Sequence, residues 1–314
     1  MRIAVIDLGT NTFNLLIAEV KQDTEPVIIY KNKLTVKLGK GGADKDIIVE
    51  EAFQRGMQAL RFHNSTMIDY DVQDVFAFGT CALRSASNGE KFVREAFTRF
   101  GIQITVIDGL QESAFIYEGI KRAVPIEDKP VLMLDIGGGS NEFILATQSE
   151  ILWQKSFPLG IARLLEIFHP SEPITENEID NITTYCNNEL KSLFSTLQKY
   201  KPNTLIGSSG SFTTLFNMIF LKDHDPEEKD DKTHHFINIE DFNKLYDYLI
   251  STTIEDRMQM KGIDPSRIEM IVVAAIFIKT ILNNTQISTL IQSNYALKEG
   301  VLHHYVQKIV DKKS

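Results

Sequence analysis

Cysteine is nearly absent: Cys81 and Cys186 are the only two in 314 residues. Two thiols cannot build a disulfide framework or a cysteine-rich zinc site, and their scarcity fits a reducing cytoplasm. No long hydrophobic run is present. The apolar run Ile271–Ile278 spans eight residues, where a membrane helix needs roughly 20. The N-terminal apolar run, Ile3-Ala4-Val5-Ile6, meets Asp7 after four residues, too short for a signal-peptide core. A cytoplasmic protein with no membrane partner is expected. Positive charge is also in deficit, with 33 Lys and Arg against 42 Asp and Glu and a net charge of −9. That balance argues against a general nucleic-acid coat or an anionic membrane surface as partner. The single tryptophan, Trp153, falls in an apolar strand pattern and reads as core.

What remains is an ordinary globular composition, 43% hydrophobic and 24% charged, in a chain long enough for about two domains. The first half reads as strands at Ile3–Asp7, Phe13–Val20 and Val27–Lys33 and a helix at Val49–Met67. A strand at Val75–Phe78, a helix at Asn88–Phe100, a strand at Ile102–Ile107 and a helix at Leu110–Val124 follow. The second half repeats this order: strands Val131–Asp135, Glu142–Ala146 and Ile151–Phe157, then helices Ile161–Phe168 and Glu176–Tyr200. A strand at Thr204–Ile206 and a helix at Ser211–Phe220 come next. Helices at Glu240–Ile250 and Pro265–Leu282, a strand at Ile287–Ile291 and a last helix at Ala296–Val310 complete it.

A residue-level marker supports the duplication. Ile3–Asp7 followed by Leu8-Gly9-Thr10-Asn11-Thr12 parallels Val131–Asp135 followed by Ile136-Gly137-Gly138-Gly139-Ser140. Each half sets an acid at a strand end, then a small-residue hydroxyl turn, then another strand. The expected fold class is α/β, with two similar domains facing each other across a cleft. Asp7 and Asp135 would lie at the carboxyl ends of their strands, where open α/β sheets bind ligands. Backbone N–H groups of the glycines and the Thr and Ser hydroxyls can cradle phosphate oxygens. The pair reads as a phosphate clamp with a divalent cation between Asp7 and Asp135. Two structural hairpins are the plainer alternative. Gly207-Ser208-Ser209-Gly210 follows a strand and opens a helix, which makes it a third phosphate loop or a simple capped turn.

Six segments occur in a recognisable order: Asp7–Thr12, Gly79-Thr80-Cys81-Ala82-Leu83-Arg84, Gly109–Glu112, Asp135–Glu142, Gly207–Gly210 and Leu297-Lys298-Glu299-Gly300-Val301. Together they resemble the exopolyphosphatase/guanosine-pentaphosphate phosphatase family, of the actin-like (ribonuclease H-like) superfamily. The resemblance covers almost the whole chain and matches the family's short, two-domain form. It implies two actin-like domains, one of residues 1–124 with about 296–314 and one of 125–295 with helical insertions. It implies that Glu112 is the general base that activates water, and that Glu142 is a second acid for water or metal positioning. Arg84 then faces the phosphate, whose planar oxygen pair suits a guanidinium. By position alone Glu112 is a helix-start acid favoured by the helix dipole. Thr10, Asn11, Thr12, Gly137, Gly138, Gly139 and Ser140 would orient the phosphoryl group, and Mg²⁺, with Mn²⁺ as alternative, would be held at Asp7 and Asp135.

The expected activity is release of terminal phosphate from inorganic polyphosphate. Hydrolysis of guanosine pentaphosphate (pppGpp) is the alternative, and a non-catalytic nucleotide or polyphosphate sensor is an alternative of another class. A homodimer is implied by the relatives alone. The chain departs from the family pattern at Gln111-Glu112-Ser113-Ala114, where Glu-Glu-Ala-Arg is common, at Asn141, and at Ser293–Lys298. These changes bear on rate and chain-length preference more than on reaction class. Residues 1–124 hold 15 Lys and Arg against 16 acids, including Lys31, Lys33, Lys37 and Lys40, whereas the remainder holds 18 against 26. Part of that acid excess lies in Asp223–Asp231, which reads as a solvated loop. Binding a polyanion must then rest on backbone N–H groups, a few cations and the metal. His234-His235 and His303-His304 read as surface pairs.

Overall fold

The computed structural model describes residues 1–21, 24–42, 45–228 and 232–311. Asp230 and Asp231 of the acidic stretch lie outside the described residues. The chain divides into two units. Met1–Gly119, Gly137–Gly139 and the segment from Ala296 onward form the first, and Ile120–Ile136 with Ser140–Tyr295 form the second.

The first unit is built on five strands: β1 (Arg2–Leu8), β2 (Thr12–Glu19), β3 (Val27–Thr35), β4 (Asp74–Gly79) and β5 (Ile104–Val106). Their order is β3-β2-β1-β4-β5, with β1–β2 and β2–β3 antiparallel and β1–β4 and β4–β5 parallel. The central β1 is an unbroken apolar run because both of its faces are covered: Ile3, Ala4, Val5 and Ile6 are fully buried. Four helices belong to this part of the chain: α1 (Glu50–Asp69), α2 (Cys81–Ser85), α3 (Gly89–Phe100) and α4 (Gly109–Ala123). Phe53 on α1 and Phe13 on β2 meet Phe92 on α3 edge-on, at 5.0 and 6.1 Å.

The second unit carries β6 (Val131–Ile136), β7 (Asn141–Ala146), β8 (Ile151–Phe157), β9 (Thr204–Ser208), β10 (His234–Ile237) and β11 (Thr289–Ser293). Its order, β10-β11-β9-β6-β7-β8, repeats the first sheet with one strand added. Strands β8, β7, β6, β9 and β11 take the places of β3, β2, β1, β4 and β5, with the same parallel and antiparallel pairings. This is the duplicated α/β order of the actin-like class. Around it lie α5 (Ile161–Phe168), α6 (Glu176–Glu189), α7 (Lys191–Tyr200), α8 (Ser209–Asp223), α9 (Ile239–Ile250), α10 (Ile254–Met258) and α11 (Ile271–Asn283). The longest apolar run is the interior of α11, fully wrapped by the second core. No described helix is long and apolar enough to cross a membrane.

The last helix, α12 (Leu297–Asp311), packs in the first unit. Tyr305 stacks on Phe76 of β4 at 4.1 Å, and His304 meets Phe115 of α4 edge-on. Helices α4 and α12 cross with their backbones in contact: a Cβ on Gly300 would overlap the Phe115 carbonyl, and one on Gly119 would overlap that of Ala296. Glu299, buried, accepts from Lys31 Nζ of β3 at 2.9 Å and from the Ala296 N–H at 3.0 Å. Lys31 and Lys298 pull its carboxyl below the ordinary value, outweighing a burial effect of opposite sign.

Several expectations shift. The helix at Glu176–Tyr200 is two helices meeting at Leu190. The helix from Pro265 starts only at Ile271, after a short 3-10 turn over Pro265–Arg267 capped by Asp264. The histidine pairs are not simple surface residues. His234 Nδ1 donates to the Ala123 carbonyl at 2.7 Å, and His235 stacks on Phe216 at 4.2 Å.

His63 on α1 is fully buried, and burial pushes its pKa down from 6.5 to about 4. A base whose folded pKa is depressed is neutral in the native state and takes up its proton on unfolding. Stability therefore falls as the pH drops from the unfolded value toward 4. Denaturant unfolding of the wild type at pH 5 is expected to give about 2 kcal/mol less stability than at pH 7 from this group. His63→Leu should show a correspondingly shallower pH dependence, and identical slopes would remove His63 as the cause.

Candidate functional site

In the first unit the chain turns at the carboxyl end of β1. Gly9 N–H donates to the Thr12 carbonyl at 3.0 Å, closing a tight turn before β2. Asp7 is paired in register with Asn14, whose Nδ2 donates to Asp7 Oδ2 at 3.0 Å. Thr10, Asn11 and Thr12 are all buried. Buried polar groups normally find partners, yet Asn11 Nδ2 has none. Gly137–Gly139 group with this unit. A Cβ on Gly139 would stand 2.7 Å from Thr10 Oγ1 and 2.8 Å from Cys81 Sγ. Only a residue without a side chain can approach the turn so closely. The two glycine-bearing turns that the sequence offered as a pair are thus brought together here.

Glu112 is placed by the start of α4. Asp108 Oδ1 accepts from the N–H groups of Leu110 and Gln111 at 2.9 and 2.8 Å. Gln111 Oε1 accepts from the Asp108 N–H at 3.2 Å, which completes a capping box. Glu112 then falls in the first turn and is buried. Arg84, on the one-turn helix α2, reaches it: Nη1 lies 3.1 Å from Glu112 Oε2 and donates to the Ile107 carbonyl at 2.7 Å. That helix was not foreseen, because five residues carry no periodicity to read.

In the second unit, Asp135 of β6 is in register with Glu142 of β7 on one side and Ser208 of β9 on the other. Ser208 Oγ donates to Asp135 Oδ1. Glu142 is buried, and its Oε1 accepts from Ser140 Oγ at 2.6 Å and Ser156 Oγ at 2.8 Å. Asn141 donates through Nδ2 to the Leu159 carbonyl at 2.7 Å. Gly207 lies inside β9, and the ring of Phe212 fills the space of its missing side chain, so packing alone accounts for that glycine. Ser209 opens α8 in a left-handed conformation, φ 73°, held by Ser209 Oγ donating to the Ile136 carbonyl at 2.6 Å. Such backbone costs about 1 kcal/mol or more and clusters at functional sites.

One residue at this turn was missed in the sequence. Arg267 is buried, its guanidinium 2.5 Å from where a Cβ on Gly210 would stand. Its Nε and Nη1 have no hydrogen-bond partner. Burial lowers its pKa, while Asp264 and Asp135 act in the opposite sense. A buried cation with unused donors beside the first turn of α8 can take an anion. The arginine stands alone near Pro265, with nothing in its neighbours to distinguish it from a surface residue. A cavity of about 620 Å³ lined by Phe216, Phe220, Phe236 and Tyr248 shares no residue with this turn.

Among the described residues, no three His, Cys, Asp or Glu side chains gather as a ready metal cage. Mg²⁺ seldom needs one. It is commonly held by one or two carboxylates, with water and substrate phosphates completing the shell. Each of Asp7 and Asp135 offers hard oxygen donors of that kind, Asp7 oriented by Asn14 in the first unit and Asp135 by Ser208 in the second.

Comparison with known proteins agrees with the resemblance. A family model described as the Ppx/GppA phosphatase family matches residues 16–309. The crystal structure of an exopolyphosphatase from Cytophaga hutchinsonii is similar at 36% identity, covering 98% of each chain with a TM-score of 0.93. The Aquifex aeolicus member of the Ppx/GppA family is similar at 26% identity, covering 100% of this chain and 99% of that one, with a TM-score of 0.80. Exopolyphosphatase 1 of Mycobacterium leprae is 23% identical over 303 residues, covering 96% of this chain and 88% of that protein.

If the buried charge at Arg267 serves an anion and not the fold, its removal separates the two properties. Arg267→Met is expected to leave the melting temperature unchanged or raised. The same variant should weaken inorganic phosphate binding roughly tenfold or more by calorimetry. A lower melting temperature with unchanged phosphate affinity would assign Arg267 to structure.

Proposed function

The chain belongs to the Ppx/GppA phosphatase family, and from that premise we propose that it hydrolyses inorganic polyphosphate from the end, releasing one phosphate per water consumed. The observation that carries this reading is the Glu112–Arg84 pair. A buried carboxylate is fixed in the first turn of α4 with a guanidinium at 3.1 Å. The same unit holds the Thr10–Thr12 turn and the unpartnered Asn11 amide. Relatives named exopolyphosphatase, spanning nearly the full chain, support the substrate class.

The chemistry follows from these groups. Phosphoanhydride cleavage passes through a transition state whose charge lies on the non-bridging oxygens, so catalysis is mostly positioning and charge stabilisation. Glu112 accepts a proton from the attacking water, leaving the water oxygen to bond to the terminal phosphorus as the bond to the bridging oxygen breaks. Arg84 turns guanidinium donors to the phosphoryl oxygens while the Ile107 carbonyl keeps its Nη1 oriented. Thr10, Asn11 and Thr12 with Gly138 and Gly139 orient the phosphoryl group, and Ser140, Ser208, Ser209 and Arg267 offer further oxygen-binding groups. Glu142, held by two serine hydroxyls, is the second acid. Mg²⁺ held at Asp7 or at Asp135 would supply charge neutralisation on the phosphate oxygens.

Phosphate release from polyphosphate in the presence of Mg²⁺ is expected for the wild type. Glu112→Gln keeps shape and loses the base, and its kcat is expected to fall roughly 100-fold or more. Equal rates in the two proteins would remove Glu112 from the mechanism. Polyphosphate and pppGpp offered together at equal terminal-phosphate concentration should show preferential loss of polyphosphate, and the reverse preference would reassign the substrate.

A further inference from the structure

Arg55 of α1 belongs to none of the motifs that carry the family resemblance. Its side chain reaches out of the helix to the segment that follows β3. Nε donates to the Val36 carbonyl at 2.8 Å and Nη2 to the Lys37 carbonyl at 3.0 Å. The N–H groups of these two residues both donate to the Asn11 carbonyl, each at 2.9 Å. Gly39 N–H donates to the Thr10 carbonyl at 3.2 Å. Residues 36–39 are therefore a strap, gripped on its carbonyls by Arg55 and on its amides by the Thr10–Asn11 turn. Within it, the side chains of Val36 and Leu38 are buried. Lys37 is left-handed, φ 48°, a conformation that a non-glycine residue keeps only when its surroundings impose it. What the strap immobilises is not a closed structure. Asn11, on that turn, is the residue whose amide donor is buried with no partner.

We propose that Arg55 is a positioning residue for the reaction, holding Asn11 Nδ2 through the strap at the point where a phosphoryl oxygen of the substrate accepts from it. The inference rests on the Thr10–Thr12 turn being a phosphate turn. A planar fork is what the geometry uses, since two donors reach the carbonyls of adjacent residues at once, and a lysine ammonium can grip one of them more readily than both. A purely structural clamp would hold the fold without affecting the rate of the folded enzyme. A positioning residue acts through Asn11, so its effect vanishes when Asn11 is removed.

The experiment is a double-mutant cycle on the full chain, using Arg55→Ala, Asn11→Ala and the double variant, with Arg55→Lys and Glu112→Gln alongside. Steady-state phosphate release from polyphosphate is normalised to the folded fraction. Hydrogen exchange is read in peptides covering 8–15 and 34–41. Arg55→Ala is expected to raise exchange in both peptides and to lower kcat roughly tenfold with little change in KM. In the Asn11→Ala background the same change should cost less than about twofold. Arg55→Lys should recover part of the rate. An additive cycle, or an Arg55→Ala kcat within about twofold of wild type while Glu112→Gln is inactive, overturns the positioning role and leaves the hydrolase reading intact. Activity lost in neither Arg55→Ala nor Glu112→Gln overturns both. Should the wild type release no phosphate, unchanged exchange and unchanged inorganic phosphate affinity in Arg55→Ala and Arg55→Lys overturn the inference by themselves.

Discussion

A strand covered on both faces can bring polar groups to a ligand only at its ends, and this constraint organises the whole molecule. β1 and β6 are buried along their length, so Asp7 and Asp135 appear at the first positions where the apolar runs stop. The reversal into β2 or β7 must happen at once, because the next strand is antiparallel and directly paired. A tight reversal uses small residues, and small residues leave backbone and hydroxyl donors exposed to whatever approaches. The small-residue turns are thus a by-product of how the sheets are closed, and this is why they occur twice.

The same constraint explains what was legible in the sequence. The strand–turn–strand starts, the repeated order and the apolar α11 are carried by local patterns of five to ten residues, and all of them are where the residues place them. Glu112 could be put at a helix start, and Asp108 with Gln111 is the capping signature that fixes it there. What the sequence did not reveal acts across distance. Arg267 meets Gly210 and Asp135 only in the folded chain. Arg55 finds Val36 and Lys37 eighteen or nineteen positions away. The short α2 and the strand β10 are set by their neighbours: β10 exists because Ile237 and Phe236 pair with β11. The histidines that looked like solvent residues were misjudged for the same reason, since neighbouring positions on a strand point to opposite sides and here both sides are occupied.

Some of the molecule's unmet polar demands lie at the turns and the strap. Asn11 Nδ2 and two nitrogens of Arg267 are buried without partners, and Lys37 and Ser209 hold left-handed backbone. Each is a local expense of order 1 kcal/mol or more. They fall at the two turns and at the strap, while other buried atoms without partners, such as Asn32 Oδ1 and Gln154 Oε1, lie elsewhere. His63, also buried and strained in its protonation, lies within the packed helix α1 and answers to pH instead.

The backbone crossing of α4 and α12 has a consequence for how the protein is made. Gly119 and Gly300 leave no room for other residues there, and Glu299 ties the last helix to β3 through Lys31. The first unit's sheet emerges from the ribosome well before α12, the helix that covers part of it, because the whole second unit lies between them in the chain. Domains usually mature from the N-terminus as they emerge. In this chain the order is inverted: the first unit waits for a helix that follows the second unit, with Phe76 and Phe78 uncovered by Tyr305 until then.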